Sequence, residues 1–314
     1  MPDRTIADGR QLAGEQNPNV QVGPSVPPRD GCAVFSIDVE DWYQGVEIPL
    51  SHWEGKENRI QIGIDAVLSI LQETGTRGTF FALGWIAEKY PEIVARIAAA
   101  GHEIGAHSYR HERVSKLTPQ EFRKDIRRTK EVLEKITGKP VRAYRAPFFS
   151  IVKTSLWALP ILREEGYEYD CSIAPVKNWH YGIEHSPEDV YRIKEPGLIE
   201  FPISTFRFLG QKFGIGGAYF RIFPYRCTAR GLGRLLSASR PAIFYAHPWE
   251  YDPGHPTVKM DFRMSLTHYF NLKATRERTR KLLRQYRFRA LSEVIDSLQA
   301  GDRIPSLSIE ALKS

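Results

Sequence analysis

With 314 residues, 42% of them hydrophobic and 26% charged, the chain is long enough to bury a large core and too mixed in composition for a fibrous or low-complexity protein. Its three cysteines, Cys32, Cys171 and Cys227, are widely spaced and odd in number, so they resemble neither a disulfide framework nor a zinc ribbon and are expected to be buried reduced thiols. The net charge of +7 allows an anionic partner without requiring one.

Residues 1–30 are polar and rich in Pro, Gly, Asn and Gln, so they read as a disordered or extended tail. They contain no apolar run of signal-peptide type, and nowhere does the chain reach the roughly 18 consecutive apolar residues of a membrane helix. A cytoplasmic protein is expected. From Cys32 onward, apolar runs of strand length alternate with segments of helical period, the order that builds βαβ units around a parallel sheet and predicts an α/β, barrel-like fold. Strands are expected at Cys32 to Asp38, Gly78 to Leu83, Glu103 to Ala106 and Val141 to Arg145. Between them fall helices at Gly63 to Thr74, at Trp85 to Ala100, and from a capping box at Thr118 to about Gly138. A helix at Thr154 to Glu165 and an extended Tyr167 to Asp170 follow.

Beyond Pro175 the pattern loosens, with strands expected at Val190 to Ile193 and Ile199 to Ile203 and a flexible loop at Gly214 to Gly217. A helix near Tyr225 to Ser239, a strong strand at Ala242 to Ala246 and two C-terminal helices complete the order. Strands of one kind continue to residue 246, so residues 31–300 are expected as one domain with an insertion around 175–240, followed by a tail at 301–314. The basic run Lys273 to Arg289 reads as the solvated face of an amphipathic helix in preference to a nucleic-acid arm. Peripheral contact with an anionic membrane or a lipid-linked glycan is the alternative for it.

Four polar clusters sit where strands end, the place where α/β barrels carry their chemistry. Asp38-Val39-Glu40-Asp41 packs three carboxylates into four residues, an arrangement that needs a compensating cation. His107 and His111 are four apart and share a face if that stretch forms a helical turn. With one carboxylate they leave coordination positions open for water and substrate, as a catalytic zinc requires. Arg145 opens Arg145-Ala146-Pro147-Phe148, and His247 stands in Tyr245-Ala246-His247-Pro248-Trp249. Singly each has a bland explanation, such as a surface loop, an incidental pair, a structural ion pair or a turn residue; together at strand ends they do not.

This order of an acidic loop, GHEIGAHSYRH preceded by TFFALGW, then RAPF and a late AHPWE resembles carbohydrate esterase family 4, the polysaccharide deacetylases that share the NodB homology domain, over about residues 31–250. FSIDVEDWYQ and YDCSIAP are most similar to the deacetylases of exosortase-linked exopolysaccharide loci. The resemblance implies a distorted (β/α) barrel and a divalent metal, zinc, held by Glu40, His107 and His111. It implies Asp38 as the base that activates water, Arg145 as its partner, and His247 as the acid that protonates the departing amine. Pro147, Phe148 and Trp249 would contact the substrate, an N-acetylhexosamine unit of a polysaccharide or of its lipid-linked precursor.

Two departures from the family pattern stand out. Most members carry adjacent aspartates in the first motif, whereas Asp38 is followed by Val39; side chains alternate along a strand, so Glu40 shares a face with Asp38 and is taken as the ligand, with Asp41 the fallback. Phe148 stands where a tyrosine is usual. Asp170 matches a position from which an acid orients the histidine of the last motif, and Trp85, Trp179, Tyr219 and Trp249 are candidates to stack on sugar rings. The alternatives are a metal-independent cyclic-amide hydrolase on the same fold and a catalytically silent carbohydrate-binding homologue.

Overall fold

The computed structural model describes residues 31–46, 48–177 and 181–313. The expected tail 1–30 and Trp179 lie outside them.

β1 (Ala33–Val39) is buried along its whole length, as a strand covered on both faces of a parallel sheet must be. α1 (Ile60–Thr74) follows and stops at Gly75 in the left-handed region. β2 (Thr79–Ala82) leads into α2 (Gly84–Lys89) and α3 (Pro91–Ala99). These two helices replace the single one expected from Trp85 to Ala100. Pro91 offers no N–H to a preceding turn and keeps Tyr90 out of helical backbone (φ −135°, ψ 60°), so the helix must restart.

β3 (Glu103–Ala106) precedes α4 (Pro119–Thr137), whose capping box forms as the sequence requires: Thr118 Oγ1 accepts from the Glu121 N–H and the Glu121 carboxylate accepts from the Thr118 N–H. β4 (Ala143–Tyr144) is shorter than the expected Val141 to Arg145, and α5 (Ala158–Glu164) begins four residues later than expected, after a 3-10 turn. β5 (Tyr169–Asp170), β6 (Tyr191–Ile193) and β7 (Leu198–Glu200) carry the sheet onward.

β8 (Thr205–Phe208) and β9 (Gln211–Gly214) then form a separate hairpin that the sequence did not announce. Where a flexible glycine loop was expected, Gly214 closes β9 and α6 (Gly217–Ile222) starts at once. α7 (Tyr225–Ser237) and β10 (Ala242–Ala246) come next. The C-terminal part has three helices rather than two, α8 (Phe262–Tyr269), α9 (Thr275–Gln285) and α10 (Leu291–Ala300), with β11 (Phe288–Arg289) between the last pair. Residues 301–314, expected as a tail, supply β12 (Ser306–Leu307) and the buried Leu312.

The main sheet runs β10-β1-β2-β3-β4-β5-β7-β6-β12, with β11 also pairing β1. Its ladders are parallel apart from β6 with β7. This is the expected barrel-like α/β sheet, left open between β12 and β10 among the described residues. Neighbouring parallel strands end on one side, so residues following β1, β3, β4 and β10 are gathered there. No helix among the described residues is long and apolar enough to cross a membrane.

The loop after β10 is fixed against α1 by backbone contact. A Cβ on Gly63 would stand 2.1 Å from the Pro248 carbonyl oxygen and 2.4 Å from its carbon. Gly63→Ala is expected to cost about 1–3 kcal/mol, as overpacking a filled interior does, and to lower activity with stability because Pro248 follows His247 directly. Denaturant unfolding beside turnover checks it.

Candidate functional site

Asp38, Glu40, His107, His111 and His247 line one cavity of about 600 Å³ at the carboxyl ends of the strands. The sheet order explains why residues so distant in sequence meet: β1 lies next to β10, and β3 is two strands from β1, with β2 between them. Arg145, just after β4, is buried completely beneath them.

Glu40, His107 and His111 each place a donor atom within 4.8 Å of the others'. The His107 ring is tied at one nitrogen, where Nδ1–H donates to the Arg145 carbonyl at 2.8 Å, which leaves the Nε2 lone pair for a cation. Burial pushes that ring down to about 4, so it is neutral, as a metal ligand must be. His111 reaches the cluster by a route other than the expected helical turn. Ser108 (φ 67°) and His111 (φ 56°) both occupy the left-handed region, and the strained loop is held by Asp125, whose carboxylate accepts from the Tyr109 and Arg110 N–H groups at 2.8 and 3.2 Å.

Glu40 Oε2 lies 2.7 Å from His111 Nε2, and Glu40 Oε1 accepts from Trp249 Nε1–H at 3.3 Å. Burial alone would raise the Glu40 carboxyl, yet His111, His247 and His107 hold it well below the usual carboxylate range. A neutral imidazole, a second imidazole and an ionised carboxylate, all buried, form a donor set that fits a divalent cation such as zinc. Asp41 is occupied elsewhere, since its two oxygens accept from the Trp42, Arg59 and Ile60 N–H groups and so anchor the start of α1. Geometry therefore favours Glu40 over the Asp41 fallback.

Asp38 Oδ1 accepts from Arg145 Nη1 at 2.6 Å, and the same nitrogen donates to Ser36 at 3.0 Å. The guanidinium lies over the Phe81 ring at 4.2 Å, which gives part of this buried cation an aromatic face. Asp170 does not serve His247 as expected. It accepts from Ser172 at 2.5 Å and is paired with Glu200, and burial raises both carboxyls, Asp170 to about 6. Ser172 in turn accepts from the Ala146 N–H, so Asp170 braces the segment after Arg145.

The acid beside His247 is Glu250. His247 Nδ1 lies 2.8 Å from Glu250 Oε1, and His247 Nε2 lies 3.4 Å from Glu40 and 3.9 Å from Asp38. Burial alone would lower the His247 ring, but Glu40, Glu250 and Asp38 outweigh it and raise it to about 9. Burial works against the Glu250 carboxylate too, and Arg221 with His247 brings it down to about 2.

Arg221 is fully buried; its Nε donates to Glu250 at 2.6 Å, and its Nη atoms donate to the carbonyls of Thr267, His268 and Phe270 at the end of α8. One side chain thus joins the histidine's partner to the free carbonyls of a helix C-terminus. Arg221→Met strands a buried carboxylate and is expected to destabilise the protein by about 3–5 kcal/mol, read from denaturant unfolding.

Phe148 (φ 55°) lines the cavity against the His111 ring, with the Arg113 guanidinium over the Phe148 ring at 4.3 Å, and Pro147 is buried at the start of that turn. Trp249 also lines the cavity but is 7% exposed and lies in a stack with His247 on one contact and His268 on another, which makes it packing as much as surface. Tyr219 faces the cavity, whereas Trp85 packs on Trp53 and Tyr90. The basic run forms α9, and its cations are partly engaged: Arg276 and Arg278 donate to backbone carbonyls and Arg280 pairs with Glu73.

Residues 61–169 match the family model described as polysaccharide deacetylase, and residues 171–296 match a domain of unknown function, DUF3473. His107, His111 and Arg145 lie in the first match, His247, Glu250 and Arg221 in the second, and Asp38 and Glu40 precede both. Over 117 residues the chain is 35% identical to a peptidoglycan-N-acetylglucosamine deacetylase of Bacillus cereus, a stretch covering 37% of this chain and 42% of that one. Over 84 residues it is 36% identical to a chitooligosaccharide deacetylase of Azorhizobium caulinodans, covering 26% and 40%. The chain thus spans about two fifths of these relatives. Among solved structures, a putative polysaccharide deacetylase from Mycobacterium smegmatis superposes with a TM-score of 0.63 at 20% identity over 90% of this chain and 95% of that one. The Puue allantoinase does so with 0.57 at 15% identity over 92% and 99%. At such identities the likeness concerns the fold.

Proposed function

We propose that the chain, whose residues 61–169 match the polysaccharide deacetylase family model, hydrolyses the N-acetyl groups of N-acetylhexosamine units in a polysaccharide or its lipid-linked precursor. The observation that carries this reading is the convergence of Glu40, His107 and His111 in one cavity with Asp38 and His247. A divalent ion held by those three residues supplies Lewis acidity for water and for the acyl oxygen.

The remaining work falls to side chains. Asp38, fixed by Arg145, takes a proton from water as the oxygen bonds to the acetamide carbon. The carbonyl π pair moves onto its oxygen. When the C–N bond breaks, its electron pair goes to nitrogen, which takes a proton from His247 Nε2. Acetate and a free amino sugar leave. Phe148 and Tyr219 offer apolar faces for sugar rings in the cavity, which Trp249 also lines.

Acetate release from N-acetylglucosamine oligomers, with matching formation of free amine, tests the reading. Equal amounts of both support it. Turnover of a cyclic amide without acetate would transfer the site to cyclic-amide hydrolysis, and binding of the oligomers with no product would make the protein a silent carbohydrate binder.

A further inference from the structure

Glu250 has no place among the residues the resemblance assigns to the reaction, yet it is bound to His247 twice. One oxygen, Oε1, accepts from the His247 backbone N–H at 3.0 Å and faces its Nδ1 at 2.8 Å. That double contact ties the ring to its own backbone and fixes which way the imidazole turns. The other oxygen accepts from Arg221 Nε, and Glu250 is 1% exposed, so the carboxylate is shut off from bulk solvent. Trp249 lies nearly parallel to the ring, 13° between planes with centroids 5.1 Å apart, and limits its tilt. The nitrogen left over, Nε2, is the one aimed at Asp38 and Glu40.

We propose that Glu250, locked by Arg221, is the positioning residue of His247, and that the same arginine fastens α8 as a wall of the substrate cavity. The proposal rests on the deacetylase reading for its chemical consequence. A histidine that gives its Nε2 proton to a departing amine must keep the other proton on Nδ1, and a carboxylate at Nδ1 selects that tautomer. Asp170, the acid expected in this role, is used by Ser172 and Glu200, so Glu250 takes the position from the turn that follows β10. α8 belongs to the same unit because Arg221 holds the carbonyls of Thr267, His268 and Phe270 while Arg263, Met264 and Thr267 of that helix line the cavity.

The experiment compares two substrates whose leaving groups differ in their need for a proton. An amine leaves from N-acetylglucosamine oligomers only when protonated, whereas the phenolate of 4-nitrophenyl acetate leaves unaided. Glu250→Ala is expected to lower kcat for the oligomers by about 100-fold, with KM little changed, and to leave aryl acetate hydrolysis within about threefold. Because the variant strands Arg221, the double variant Glu250→Leu with Arg221→Met, which removes both charges, is measured beside it and is expected to show the same split in kcat, with a raised KM for the oligomers because α8 has lost its tie. Equal loss on both substrates, or no loss on the oligomers, would overturn the proposal.

A third readout needs no turnover. The 15N-histidine NMR spectrum of the wild type should show a protonated, slowly exchanging His247 Nδ1 that disappears in both variants. If the wild type releases no acetate from any N-acetyl sugar, the deacetylase reading fails, while this signal still upholds the pairing; its absence from the wild type overturns the pairing itself.

Discussion

Asp38→Asn is expected to lower acetate release by about 10³-fold while the protein still binds its metal. Asparagine has nearly the shape of aspartate and can accept from Arg145 Nη1, so the local frame is kept, but it cannot take a proton from water. Glu40, His107 and His111 are unaltered, so metal content measured by elemental analysis should match the wild type. The change removes the counter-charge of a completely buried guanidinium, and a stability loss of about 3–5 kcal/mol is expected with it. Assays therefore belong well below the unfolding temperature of the variant. A variant that turns over at the wild-type rate would mean that another group is the base.

His111→Ala and Glu40→Gln are expected to abolish activity by a different route. Each takes one of three donors from a site whose affinity depends on all three. Altering residues that merely support metal ligands already costs about 10- to 100-fold in affinity, and losing a ligand should exceed that. Both proteins should come off a chelating column free of metal. Asp41→Asn is the matched control for the acidic loop, because Asp41 serves the N–H groups at the start of α1. It should lose about 1–3 kcal/mol of stability and keep its metal. If Asp41→Asn lost the metal and Glu40→Gln kept it, the ligand assignment would reverse.

How far the sequence could be read depended on how local the deciding physics is. The buried runs of β1 and β10 and the capping box of α4 are local patterns, and the structure has them where they were expected. The same holds for the side on which Asp38 and Glu40 emerge, which follows from strand alternation. The approach of His107 to His111 was expected from a helical turn, and the residues do meet, but through two left-handed residues in a loop that Asp125, 14 residues beyond His111, helps to hold.

Other features depend on contacts that spacing cannot show. Glu250 is visible in the sequence as the last residue of AHPWE, but what makes it a partner of His247 is Arg221, 29 residues earlier. The β8–β9 hairpin turns at Leu209 and Gly210, both with positive φ, where an Asn-Gly pair would have announced it. In α8 the large apolar residues Phe262 and Leu266 are exposed, as is Phe270 just after it, while His268 is buried, so its hydrophobic pattern does not mark the face that packs.

The most direct test of this account is the metal content of the purified protein measured together with acetate release from N-acetylglucosamine oligomers, before chelation, after it and after zinc is restored. The account predicts close to one metal per chain, with activity lost to the chelator and recovered with zinc. Full acetate release by a metal-free protein would contradict it.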